Sequence, residues 1–166
     1  MMLSYCMPKL ARLHGTESVA LSDRLCFDLY AAARAITRAY RPILSKLGLT
    51  YPQYLVMGML WQRSPRTVKD LGESLDLDSG TLSPLLKRLE ASGFVTRQRR
   101  LDDERTVDIT PTPKGRALEH EAEHVPIDMA AVMGVSAGDE RKLRSLLQKL
   151  TASLVGQLDE APARAG

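Results

Sequence analysis

A chain of 166 residues, 44% of them hydrophobic, is long enough to bury one ordinary core, alone or as one subunit of a dimer. Its formal net charge of +3 is compatible with a polyanionic partner without requiring one. No run approaches the roughly 18 to 20 apolar residues of a membrane span, and MMLSYCMPKLARLHG lacks an apolar stretch followed by a small-residue cleavage site. The expectation is a cytoplasmic protein with no membrane partner.

Two cysteines, Cys6 and Cys26, exclude a disulfide framework, and three scattered histidines give no metal-ligand spacing. With no Gly-rich phosphate loop and no internal repeat either, no cofactor is expected. Residues 1–20, with Pro8, Gly15 and weak periodicity, read as a poorly ordered extension that holds Cys6 as an incidental thiol.

Ser22 and Asp23 should start a long helix, LSDRLCFDLYAAARAITRAYRPILSKLG. Its Leu25, Leu29, Ala33, Ile36, Tyr40, Ile43, Leu44 and Leu47 follow helical spacing. Pro42 should bend or interrupt it, and Gly48 should end it. Arg34, Arg38 and Arg41 form a stripe that reads as a solvated face. Pro52 suits the first turn of the next helix, TYPQYLVMGMLWQ, in which Leu55, Val56, Met59, Leu60 and Trp61 are core material.

The stretch from Thr67 to Thr110 carries the densest set of signals. Thr67 caps a short helix whose N3 residue is Asp70, with Val68, Leu71 and Leu75 on one face. Asp78 or Ser79 caps the next, which carries Leu82, Leu85, Leu86 and Leu89 on one side. Gly93 sits where a helix must turn left-handed, and Val95 to Arg99 followed by Thr106 to Ile109 alternate as a hairpin does. Helix, turn, helix, hairpin is a winged helix-turn-helix, within a mainly α fold.

Bulk charge is no argument for nucleic-acid binding here, because from Thr67 to Arg105 acidic residues outnumber basic ones by one. Its distribution is. Between Pro84 and Arg100 stand Lys87, Arg88, Arg97, Arg99 and Arg100 against Glu90 alone, where a duplex would meet the second helix and the hairpin. Ser79, Thr81 and Ser83 offer short hydroxyls suited to base edges and phosphates in a major groove. The stretch DLDSGTLSPLLKRLEASGFVTRQRRLDDERTVDITPTPKG resembles the DNA-binding lobe of the MarR family of dimeric repressors. That resemblance implies a recognition helix in the major groove and a wing in the minor groove. It also implies Arg105 as the wing-tip contact, with Asp103 bracing its guanidinium.

After the hairpin, Thr112-Pro113 opens a helix through KGRALEHEAEHV that Pro126 interrupts, and Ser136, with Asp139 three residues on, caps a last helix. Leu143, Leu146, Leu147, Leu150, Leu154 and Leu158 form a long apolar stripe there. Such a stripe needs another surface to bury it. A homodimer partner is the economical answer and spaces two recognition helices for pseudo-palindromic double-stranded operator DNA; docking within the chain is the alternative.

Cys26 is either a small buried hydrophobe or a reactive thiol. It follows the expected Ser22 cap closely enough to feel the positive helix end, with Tyr30 one turn along the same face. Tyr40 and Tyr51 bracket the far end, and phenols are neutral donors able to hold a thiolate. On one continuous helix Cys26 and Tyr40 would be roughly 21 Å apart, so tyrosines serving Cys26 must come from a second subunit running antiparallel.

LCFDLYAAARAITRAYRPILSKLGLTYPQYLVMGMLW is similar to the opening helices of the organic hydroperoxide-sensing branch of the MarR family, and the likeness covers about residues 20–155. It implies that Cys26 is the redox-sensing cysteine and that the partner's Tyr40 and Tyr51, with Tyr30 nearby, stabilise its thiolate. No cysteine follows Cys26, so the chain resembles the one-cysteine kind, with an organic hydroperoxide and a low-molecular-weight thiol as effectors. The expected units are residues 21–62 for dimerisation and sensing, 63–112 for DNA binding and 113–166 for C-terminal dimerisation. Three rival functions are a repressor sensing a small aromatic ligand with Cys26 structural, a thiol peroxidase, and a protein-interaction module without DNA binding.

Overall fold

The computed structural model describes residues 20–100, 103 and 105–160. The N-terminal extension with Cys6, and the side chain of Leu158, lie outside the described residues. A single 3-10 turn, Leu21–Asp23, precedes α1, Leu25–Ser45. The helix therefore starts later than the Ser22 or Asp23 cap anticipated. Arg24 is the N-cap and makes no side-chain cap bond, while the Ser22 hydroxyl donates to Asp23 Oδ1 at 3.3 Å.

Of the two outcomes expected at Pro42, interruption does not occur: α1 continues through it to Ser45. The proline lies on the exposed side, as does Arg38. The Arg38 carbonyl, which loses its N–H partner four residues on, therefore faces water and the missing bond is inexpensive. Leu44, on the opposite side, is fully buried.

Thr50 opens α2, Tyr51–Gln62, where the buried Gln53 side chain accepts from the Thr50 N–H at 2.8 Å and from the Thr50 hydroxyl at 3.0 Å. The pair satisfies a helix end and a buried amide oxygen together. Val56, Met57 and Leu60 of α2 are fully buried and form the middle of the core.

The next unit follows its local chemistry closely. In α3, Val68–Leu75, Asp70 N donates to Thr67 Oγ1 at 3.0 Å and Thr67 N to Asp70 Oδ2 at 3.2 Å. Asp76 turns left-handed at φ 51° to end it. Asp78 then caps α4, Ser79–Ala91, accepting from Thr81 N at 2.9 Å. Leu82, Leu86 and Leu89 of α4 pack inward with Leu71 of α3. Gly93, at φ +74°, stops α4 and lets Phe94 N reach the Leu89 carbonyl at 3.0 Å.

The hairpin is β2, Val95–Arg99, and β3, Val107–Pro111, paired antiparallel with Arg97 opposite Ile109. A third strand, β1, Arg66–Thr67, pairs with the other side of β3, giving the order β1-β3-β2. Sequence periodicity could not reveal it, because two residues carry no alternation. Buried Val95 and Ile109 turn the sheet's inner face to α2 and α4.

Thr112 caps α5, Pro113–Glu121. Pro126 does not end a continuous helix: α5 stops at Glu121 and Pro126 sits in the first turn of α6, Val125–Met133. A proline at that position lacks only an N–H that would be unpaired anyway. Val125 and Met129 of α6 are buried, and α6 lies alongside α1. The Ser136 hydroxyl caps α7, Ala137–Glu160, accepting from Asp139 N at 3.1 Å.

Apolar side chains outside this core cluster on α1, α6 and α7. Leu25, Tyr30, Ile127, Leu146 and Leu154 are each more than half exposed. No helix among the described residues is long and apolar enough to cross a membrane.

The packing at α5 gives a sharp test. A Cβ on Gly115 would stand 2.0 Å from the Phe94 carbonyl oxygen, a backbone atom that cannot swing away, whereas one on Gly58 of α2 would meet nothing within 4 Å. In urea titrations Gly115→Ala should lose about 3 kcal/mol, and Gly58→Ala should be neutral or gain up to about 1 kcal/mol.

Candidate functional site

Two groups of residues stand out for chemistry, one on α4 and the hairpin and the other on α1 and α2. Ser79, Ser83 and Lys87 recur every four residues along α4 and share a face, with Arg88 beside them. Ser79, Lys87 and Arg88 are exposed and Ser83 is half-buried. Thr81 is already engaged in the cap, its hydroxyl donating to Asp78 Oδ2 at 2.9 Å. Only its acceptor lone pairs remain for an outside partner.

The wing brings more positive charge to α4 than the chosen residues alone. A cleft of about 470 Å³ is lined by Ser83, Arg97 and Arg105 together with Lys69, Arg100 and Thr67. A second cleft joins Ser79, Lys69 and Arg105. Lys69 was not among the expected DNA contacts, and Arg100 was expected only as part of the positive patch. Lys69 looks balanced by its helical neighbour Glu73, at 3.7 Å, and only the fold turns it toward the arginines. Arg99 is exposed at the end of β2, opposite Val107, and lines neither cleft.

Arg97 ties the wing to the recognition helix, with Nη1 3.8 Å from Glu90 Oε2. Its Nε is buried without a hydrogen-bond partner, and so is Asp108 Oδ1, although Asp108 Oδ2 accepts from Arg100 Nε at 2.8 Å.

The expected role of Asp103 needs correction. Its carboxylate accepts from the Arg105 backbone N–H at 3.1 Å and from the Thr106 hydroxyl at 2.6 Å, and Thr106 N donates to the Asp103 carbonyl at 2.9 Å. Asp103 therefore folds the turn at the base of Arg105 rather than bracing its guanidinium, as a short acidic side chain does most readily. The Thr106 hydroxyl, then the Arg105 amide, hold its carboxyl below the usual range.

In the second group, Cys26 is the second residue of α1 and is exposed. The later helix start places it within the first turn, closer to the positive helix end than a Ser22 cap would have done. Tyr30, one turn on, is 64% exposed, so it flanks the sulfur from solvent rather than from the core.

Tyr40 and Tyr51 stack with ring centroids 4.3 Å apart and planes at 23°. Tyr54 joins them, 5.9 Å from Tyr40. Sequence reasoning missed Tyr54, although its place three residues after Tyr51 puts it on the same side of α2. Burial raises all three phenol pKa values, with the neighbouring phenols adding to the effect at Tyr40 and Tyr54. They are neutral hydrogen-bond donors near neutral pH. Because α1 runs unbroken past both, Tyr40 stands about 21 Å along the helix from Cys26.

Comparison with known proteins points the same way. The family model described as transcriptional regulator SarA/Rot matches residues 38–122. The organic hydroperoxide resistance transcriptional regulator of Bacillus subtilis (strain 168) is 44% identical over 138 residues, covering 83% of this chain and 94% of that one. The HTH-type transcriptional regulator TtmR of Methylorubrum extorquens (strain PA1) is 49% identical over 147 residues, covering 89% of this chain and 72% of its own. Among solved structures, reduced AbfR bound to DNA, AbfR being a Staphylococcus epidermidis protein, superposes with a TM-score of 0.67 at 34% identity, covering 85% of this chain and 96% of that one. AbfR has also been solved overoxidised on DNA and in a disulfide-formed state.

The phenol cluster can be titrated directly. Ultraviolet absorbance should show tyrosines ionising above the ordinary value of 10.0. Folding favours their neutral forms, so the stability they contribute is complete below about pH 10 and is lost as pH rises through the raised values. Substituting Phe at Tyr40, Tyr51 and Tyr54 should remove that alkaline loss in melting curves.

Proposed function

The chain belongs to the MarR family of winged-helix transcriptional regulators, on the branch of the organic hydroperoxide regulators, and from that premise we propose a homodimeric repressor that holds operator DNA while Cys26 is reduced. The α4 face of Ser79, Ser83 and Lys87 enters the major groove, and Arg97 and Arg105 meet the flanking backbone and minor groove. Lys69 and Arg100 add phosphate contacts from the same cleft.

One observation carries the sensing half. An exposed cysteine in the first turn of an unbroken helix has neutral, half-buried phenols about 21 Å away on the same helix and its neighbour. Two such helices running antiparallel across a two-fold axis lay each sulfur against the other chain's phenols. Exposed Leu25, Ile127, Leu146 and Leu154 supply the driving force for pairing, at about 1.5–3 kcal/mol per fully buried side chain.

The chemistry is a two-electron oxidation of sulfur. The Cys26 thiolate attacks the distal oxygen of an organic hydroperoxide; the O–O bond breaks, a sulfenic acid forms, and the departing alkoxide takes a proton from water. A low-molecular-weight thiol then displaces water from the sulfenic acid to give a mixed disulfide. We place operator release at that bulkier adduct, and the solution of overoxidised AbfR on DNA supports the placement. The adduct pushes the phenols of the partner aside and shifts the two lobes relative to each other. The relatives' names are those of regulators, which supports a binding protein rather than a thiol peroxidase.

Operator affinity, measured by gel shift on the DNA upstream of the protein's own gene, provides the test. Cumene hydroperoxide with cysteine should weaken the parent's binding at least tenfold, about 1.4 kcal/mol, and leave Cys26→Ser unaffected. Release of Cys26→Ser by the same treatment would refute the assignment of Cys26. Release by small aromatic acids without oxidation would favour the rival ligand-sensing reading.

A further inference from the structure

The tyrosine stack and the DNA-contact lobe are joined by a short path of contacts that the sensing reading leaves unused. Trp61 stands in the last turn of α2, ten residues after Tyr51 in the first. Its ring meets Tyr54 edge-on, centroids 6.2 Å apart at 67°, and Tyr54 in turn packs on Tyr40. On its other side the Trp61 indole Nε1 donates to the Gly115 carbonyl at 2.8 Å, bridging 54 residues of sequence.

Gly115 lies where α5 presses on the corner between α4 and β2. A Cβ there would collide with the Phe94 carbonyl, so backbone touches backbone. The same turn of α5 is fastened to that corner twice more, the Thr112 hydroxyl donating to the Gly93 carbonyl at 2.6 Å and Lys114 Nζ to the Ser92 carbonyl at 2.9 Å. A contact without flexible side-chain ends transmits displacement instead of absorbing it. The Gly93 corner is also where the recognition helix ends and the wing begins, so tilting it re-aims both DNA-contacting elements.

We propose that Trp61 is the positioning residue through which displacement of the Tyr40 and Tyr51 rings reaches the α4–β2 corner, its bond to Gly115 being rearranged in the operator-releasing state. The indole has one donor and no acceptor, so that bond is either kept or given up. The proposal rests on the reading that oxidation of Cys26 governs operator affinity.

Trp61 is the chain's single tryptophan, so fluorescence of the unaltered dimer reports on it directly. With cumene hydroperoxide and cysteine the emission maximum or intensity should change in the parent and stay constant in Cys26→Ser. Trp61→Phe keeps a ring against Tyr54 and deletes the donor. Its reduced form should bind operator within about threefold of the parent, the scale of one neutral hydrogen bond, and lose the Cys26 thiol to hydroperoxide at the parent's rate. Its ratio of oxidised to reduced Kd should shrink at least tenfold, about 1.4 kcal/mol of lost coupling. A parent that releases operator with unchanged emission, or a folded Trp61→Phe dimer that keeps the parent's ratio, overturns the role of Trp61 alone. A parent that holds operator equally well after oxidation overturns the sensing reading and this proposal together. Should Trp61→Phe not fold, the emission of the parent decides.

Discussion

Helix α1 runs unbroken from Cys26 to Tyr40, and that continuity is the constraint on which the functional reading depends. A proline on the solvent side of a helix removes a bond whose carbonyl water can satisfy, so the rod survives with Leu44 anchored in the core. Twenty-one residues of unbroken helix hold Cys26 and Tyr40 at a fixed separation. Both residues precede Pro42, and Tyr51, stacked on Tyr40 at 4.3 Å, shares that distance from the sulfur. On the proposed reading, each sulfur therefore needs the phenols of a second copy.

Packing divides the molecule in the same sense. The lobe from β1 to α5 closes on α2, with Leu71, Leu82, Leu86, Leu89, Val95 and Ile109 buried in one core with Val56, Met57 and Leu60. The outer helices do not: α7 buries none of its side chains among the described residues, and the start of α1 displays Leu25, Phe27 and Tyr30. The DNA-reading part is therefore stabilised within the chain, whereas on the proposed reading the arrangement around Cys26 depends on association. An equilibrium between two packings at such an interface can be shifted by chemistry at one atom without unfolding the lobes.

Much of this was legible in the sequence because helix ends are local events. Thr67 with Asp70, Asp78, Gly93, Thr112 and Ser136 each act within four residues, and each occupies the place expected of it. What failed depended on competition or distance. Ser22 satisfies itself on Asp23, so α1 begins without a side-chain cap. Pro126 starts a helix as readily as it stops one, and β1 is too short to show a period. Asp103 was within reach of two kinds of donor on Arg105, and the backbone amide won. Tyr54 and Lys69 acquire meaning only from what the fold sets beside them.

The claim at the centre of the account is that each Cys26 is completed by phenols of the other chain, and a mixed dimer tests it without reference to DNA. One chain carries Cys26→Ser with its tyrosines intact, and the other carries Cys26 with Tyr40→Phe and Tyr51→Phe. The remaining thiol then has native phenols only across the interface. Its rate of loss to cumene hydroperoxide should match the rate per thiol of the parent dimer and exceed that of the Tyr40→Phe, Tyr51→Phe homodimer. A mixed dimer as slow as that homodimer would mean that the phenols act within their own chain, and the account would be wrong.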